Sequence, residues 1–118
     1  MKESILFIKS KAFAIKIVYL YKYLVDEKRE FILSKQLLRS GTSVGANIRE
    51  ARFAQSMPDF ISKMSIALKE ISETQYWLEL LMETEYLGKA EAENIIEECT
   101  ELTRMLHATV KTSKQNNK

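Results

Sequence analysis

The chain has 118 residues, 46% of them hydrophobic and 29% charged, with one proline, three glycines and one cysteine, a make-up that fits one folded domain with one core. So little turn chemistry excludes a small β-sandwich and favours long helices joined by short loops, and a lone Cys99 excludes an internal disulfide and fits a reducing, cytoplasmic setting. The net charge of +2 hides an asymmetry, 11 Lys/Arg against 6 Asp/Glu over residues 1–59 and 7 against 10 over residues 60–118, which suits an anionic partner on one side or attraction between unlike sides of identical subunits.

A first helix is predicted over about 4–26, with two sevenfold-spaced stripes, Leu6-Phe13-Leu20 with Ile17 and Leu24, and Phe7-Ala14-Tyr21 with Val18 and Val25. An apolar arc that wide suits a helix touching two neighbours. Lys9, Lys11, Lys16 and Lys22 interrupt it, so no uncharged membrane span is present. The pattern is not that of a signal peptide either, and export is not expected.

Asp26 to Glu30 breaks the periodicity, and a second helix follows over about 31–55. At 100° per residue, Leu33, Leu37, Val44, Ile48 and Ala51 share one of its faces, with Ser40 and Gly41 at the borders. Gly41 and Gly45 stand one turn apart inside this helix, each unfavourable by about 0.8–1 kcal/mol relative to alanine. That implies a close approach by a neighbouring backbone. Ser56 with Asp59 three residues later is a capping box, Pro58 suits a first turn, and a third helix is predicted over about 57–86. Its stripe Ile61, Met64, Leu68, Ile71, Gln75, Leu78 and Met82 has bundle-core spacing, with a second row through Phe60, Ala67, Thr74 and Leu81. Gly88 reads as its stop. A fourth helix over about 89–112 buries Ala92, Ile95, Cys99, Leu102 and Leu106, and residues 113–118 are expected to fray. The predicted fold is an all-α, antiparallel up-down-up-down four-helix bundle in one domain.

Catalytic chemistry is thinly represented. His107 is the only histidine and has no Glu-x-x-His partner, and Cys99 sits on an apolar stripe without a basic neighbour. Glu70, Glu73, Glu79, Glu97, Glu98 and Glu101 read as solvated acidic faces rather than metal ligands. No catalytic residue, cofactor, metal site or small-molecule substrate is therefore assigned. Lys35, Arg39, Arg49 and Arg52 fall within roughly 140° around helix two, with Phe31 and Phe53 in the same sector. This face fits RNA or DNA through phosphate contacts and base stacking, a subunit interface, or a merely solvated face. Tyr76 and Trp77 widen the apolar arc of helix three and suit an intersubunit contact. Asn47 and Glu50 read as a structural pair, Asn47 bonding across to a neighbouring helix and Glu50 pairing with a basic residue, with ligand contact as the competing reading.

The run Ser43-Val44-Gly45-Ala46-Asn47-Ile48-Arg49-Glu50-Ala51, followed by Asp59 to Leu81, resembles the four-helix bundle proteins encoded in intervening sequences of bacterial 23S rRNA genes. The resemblance spans nearly the whole chain. It implies an antiparallel bundle assembled as a ring-like homopentamer, and it supplies no catalytic residues. A looser resemblance, to the accessory protein of diversity-generating retroelements, implies a nucleic-acid partner, but that protein is strongly basic and this chain is not. Ser43, Gly45, Ala46, Asn47, Ile48 and Glu50 are carried over as a packing signature beside the structural Gly41 read from the helix pattern, with Gly45 standing where many relatives have proline. The functional expectation is a non-enzymatic oligomeric scaffold or nucleic-acid-associated accessory protein, or alternatively a protein–protein interaction module that binds no nucleic acid.

Overall fold

The computed structural model describes residues 4–117. Ser4, in extended conformation, accepts a hydrogen bond at 3.1 Å from the Phe7 N–H and so opens α1, Ile5–Asp26. The chain turns through Arg29 in the left-handed region (φ 54°), with the Glu30 N–H bonded to the Leu24 carbonyl at 3.0 Å. The second helix, α2, spans Leu33–Arg52, shorter at both ends than expected. Its start has no hydroxyl or amide cap. Instead Glu30, buried beneath the turn, reaches forward: its carboxylate accepts from the N–H groups of Ile32 (3.2 Å), Leu33 (3.0 Å) and Ser34 (2.7 Å), and the Ser34 hydroxyl donates back to the Glu30 carbonyl at 2.7 Å. One carboxylate thus satisfies three N–H groups that a helix start leaves without partners.

The third helix, α3, spans Met57–Glu83 and begins at the predicted Ser56 cap, whose hydroxyl accepts from the Asp59 N–H at 3.2 Å, while the Asp59 carboxylate reaches back to the N–H of Gln55 (3.3 Å) rather than to that of Ser56. Its end differs from the sequence expectation. Gly88 is not the stop; Glu85 takes the left-handed position (φ 68°), with Tyr86 N–H bonded to the Leu81 carbonyl at 2.9 Å and Glu85 N–H to that of Met82 at 3.1 Å. Those two bonds make a Schellman turn around a non-glycine residue. Gly88, at φ −65°, precedes α4, Lys89–Asn116. This last helix continues beyond Thr112 and buries Ser113, so the fraying expected from residue 113 does not start there.

Contacts between the helices fix their directions. On α1 and α2, Ser10 lies against Gly45 and Ile17 against Gly41. On α2 and α3, Ser40 meets Thr74 and Glu50 meets Lys63. On α1 and α4, Lys9 pairs with Glu101 and Lys16 with Glu98. Each set runs up one helix and down the other, so sequential neighbours are antiparallel and α4 returns beside α1. The bundle is a rod of 48 × 24 × 20 Å.

The core runs along the rod axis through Phe13, Ile17, Leu24, Leu37, Val44, Ile48, Ile71, Leu78, Leu81, Leu102 and Leu106, all under 3% exposed. On α3 the buried set is Met64, Ala67, Ile71, Thr74, Leu78 and Leu81, while Ile61, Leu68, Gln75 and Met82 of the expected stripe are half-buried. The burial axis therefore lies between the two rows. That displacement takes Gln75 out of the core, where it donates to Glu79 instead (3.1 Å), and puts Thr74 in, 2.9 Å from the buried Ser40 hydroxyl and donating to the Glu70 carbonyl at 2.7 Å.

Candidate functional site

The glycines mark the crossing of α1 and α2. A Cβ on Gly41 would lie 2.8 Å from Cγ2 of Ile17, and one on Gly45 would lie 3.4 Å from the Ser10 carbonyl oxygen. The other motif residues are divided around α2. Ile48 is buried, Ala46 faces out, and Ser43 and Asn47 are half-buried. Asn47 does not bond across to another helix as expected: its amide donates to the Ser43 carbonyl (2.9 Å) and hydroxyl (3.1 Å), one turn back on α2. Glu50 does pair with a basic residue, Lys63 of α3, at 3.0 Å, and this contact raises the Lys63 pKa.

The four basic residues singled out on α2 do not act as one patch. Arg39 turns toward α3 and is engaged by Glu70 (3.4 Å) and Glu73. Lys35 is exposed near the start of α2, whereas Arg49 and Arg52 lie near its end, about 20 Å away at 1.5 Å per residue. Arg49 lines a shallow groove of about 200 Å³ over the glycine crossing, with Phe7, Lys11 and Ala14 on the α1 side, and the Arg52 guanidinium lies 4.6 Å from the centre of the Phe7 ring.

The four aromatic candidates also differ. Phe31 is 47% exposed and carries the Arg29 guanidinium at 5.4 Å, and Phe53 is 74% exposed at the turn between α2 and α3. Trp77 packs against the core, donates from Nε1 to Glu73 at 3.0 Å and meets Tyr76 edge-on at 5.0 Å. Tyr76 itself faces outward.

Two surface features emerge only in the fold. The first is a second stripe on α1: Ile5, Ile8, Ala12, Ile15 and Tyr19, at spacings of three and four, face away from the core and are all exposed. Its sequence signal was present, but the two stripes expected to pack inward share the same helix and masked it; only the first is buried, and the second is half-buried with Val18 exposed. The second is charge. Dividing the rod near mid-height, residues 4–15, 43–70 and 99–117 form one half with nine Lys/Arg against four Asp/Glu, and residues 16–42 and 71–98 form the other with seven against eleven. One end is +5 and the other −4.

Cys99 is fully buried, and that burial pushes its thiol up to about 12, with Glu98 and Glu79 adding to the shift. A thiol held protonated is a poor nucleophile. His107 is exposed on α4, and among the described residues no group of three or more His, Cys, Asp or Glu side chains is placed to hold a metal ion. No helix among the described residues is long and apolar enough to cross a membrane.

The packing defines an all-α antiparallel four-helix bundle with outward apolar side chains on α1 and charge segregated along the rod. The model of the 23S rRNA-intervening sequence protein family matches residues 2–108, and the chain belongs to that family. It is similar to a crystal structure of a protein of unknown function from the S23 ribosomal protein family of Bacteroides thetaiotaomicron, with 55% identity and a TM-score of 0.90, covering 91% of this chain and 99% of that one. No curated protein matches the chain.

Proposed function

We infer that the chain is a non-enzymatic, self-assembling scaffold, and that its assembly is the cyclic homopentamer implied by the family resemblance. The observation that carries this reading is the outer stripe of α1, where Ile5, Ile8, Ile15 and Tyr19 are 63%, 51%, 50% and 67% exposed. Isolated surface apolar residues need no explanation. Five in heptad-like register along one helix do, because such a seam gains free energy when a partner helix covers it. A buried, protonated thiol and a lone surface histidine support a role without catalysis, and a free buried cysteine fits the reducing cytoplasm.

Sedimentation equilibrium tests the reading. The wild-type protein is expected to be oligomeric at tens of micromolar, and Ile15→Asp/Tyr19→Asp to be a monomer that still folds, since both side chains are already in water within one chain, but melts below the wild type because assembly no longer stabilises the folded state. A monomeric wild type would overturn it. Nucleic-acid association is a second reading, favoured by the positive charge gathered in one half of the rod and by the description of the related crystal structure as belonging to a ribosomal protein family.

A further inference from the structure

Resting on the nucleic-acid reading above, we propose that the basic end of the rod is a binding site for single-stranded nucleic acid. This end is assembled from the start of α1, the end of α2, the start of α3 and the end of α4, so its charges come from four separated parts of the sequence. Lys11, Arg49, Lys69, Arg104, Lys111 and Lys114 are exposed there, and none of them makes an ion pair among the described residues. All four carboxylates described in this half are occupied. Glu50 holds Lys63, Glu70 holds Arg39, Glu101 holds Lys9, and Asp59 accepts from the Gln55 N–H at 3.3 Å. With nine Lys/Arg against four Asp/Glu, this end keeps a net positive potential carried by cations that no carboxylate holds, which is the condition for attracting a polyanion and displacing its counterions.

The apolar surface of the same end decides the class of polyanion. Phe53 stands 74% exposed at the tip of the α2–α3 turn, and a groove of about 260 Å³ opens between the helix ends, walled by Leu6, Arg52, Phe60, Met64 and Thr109. Rings set among the unpaired Lys and Arg side chains named above suit unstacked bases with phosphates on the rim, as single-stranded sites require. A duplex hides its bases and would use the cations alone. Of the four residues expected from the sequence, only Arg49 and Arg52 belong here; Lys35 and Arg39 lie in the other half.

None of these side chains belongs to the outer stripe of α1, so a change in the site can be made without touching the stripe. The test is fluorescence anisotropy with a labelled oligouridylate RNA of about 16 nucleotides, at about 50 and about 300 mM salt. Two variants carry the same change in net charge: Arg104→Gln/Lys111→Gln/Lys114→Gln at the basic end and Lys22→Gln/Lys28→Gln/Lys35→Gln at the other. Glutamine keeps helix propensity, and a thermal melt checks each fold; Lys11→Gln/Arg49→Gln/Lys69→Gln, with the same change in charge, replaces the first variant if it does not fold. The expected result is salt-sensitive wild-type binding, at least about a tenfold loss in the basic-end variant with a salt slope lower by about two, and affinity within about twofold in the control. Equal losses in both variants, or no wild-type binding at low salt, would overturn the proposal. So would binding to phosphatidylserine vesicles by protein that leaves the RNA free, which would assign the same end to a lipid surface. Sedimentation of the same samples keeps this result separate from the fate of the scaffold reading.

Discussion

At Gly41 the helix gives up about 0.8–1 kcal/mol of propensity, and the return is the seat of Ile17. Because Ile17 is fully buried and its own Cβ would be 3.3 Å from a Cβ at position 41, it cannot swing aside as a flexible side chain would. Gly41→Ala is therefore expected to destabilise by about 1–3 kcal/mol through overpacking. At Gly45 the nearest atom is at ordinary contact distance, so Gly45→Ala is expected to be neutral or slightly stabilising. Thermal melts of the two variants, side by side, check the contrast. Glu30 offers a second test. Burial acts to raise its pKa, but the N–H bonds from Leu33, Ser34 and Ile32 outweigh it and hold the carboxyl below the ordinary 4.5. A carboxylate lowered on folding contributes stability above its unfolded pKa and loses it as pH falls through the folded value. Glu30→Gln should cost about 1–2 kcal/mol at pH 7, and the deficit should shrink below about pH 4; urea titrations at the two pH values measure this.

Among the elements, the Schellman turn closing α3 holds a residue with a side chain where glycine is favoured. Glu85→Gly is expected to raise stability by about 0.5–1 kcal/mol, read from the thermal midpoint, because the left-handed conformation is nearly free of steric cost for glycine. The same position shows why helix ends were harder to read than helix faces. Four helices and their order follow from periodicity, and the Ser56 cap follows from one local hydroxyl three residues before a free N–H. Glu85 carries no such mark, and Gly88 drew the stop three residues too far. The start of α2 was hidden for a related reason: Glu30 caps through a buried carboxylate inside a run of charges that looks like an ordinary solvated loop. On α3 two apolar rows of similar strength compete, and only the positions of α2 and α4 decide that the core lies between them. Asn47 could not be placed either, since a half-buried amide finds a partner on its own helix as readily as on another. The site was legible only in part, because residue spacing places Lys35, Arg39, Arg49 and Arg52 around α2 but does not reveal Glu70 and Glu73 beside Arg39.

For the whole molecule, Cys99 reports the integrity of the rod. Native protein at pH 8 is expected to resist an aromatic disulfide reagent and to label at the rate of global unfolding. Above pH 9 the unfolded thiol ionises while the native one, at about 12, keeps its proton. Stability should then fall by on the order of 1 kcal/mol per pH unit between 9 and 12 from this group alone. Cys99→Ala should lack that component of the slope, which pH-dependent denaturant titrations resolve.

The charge segregation of the rod acquires a further meaning under rotational symmetry. A rod that is +5 at one end and −4 at the other carries an electric dipole moment, and a moment is a vector. In a cyclic assembly every protomer is the image of the next by rotation about one axis, so components of the moments perpendicular to that axis cancel and components along it add. Rods standing parallel to the axis would form a body with one electropositive pole and one electronegative pole, whatever the number of copies. An anionic chain drawn to such a body arrives at a single pole, where the charges of every protomer act on it together.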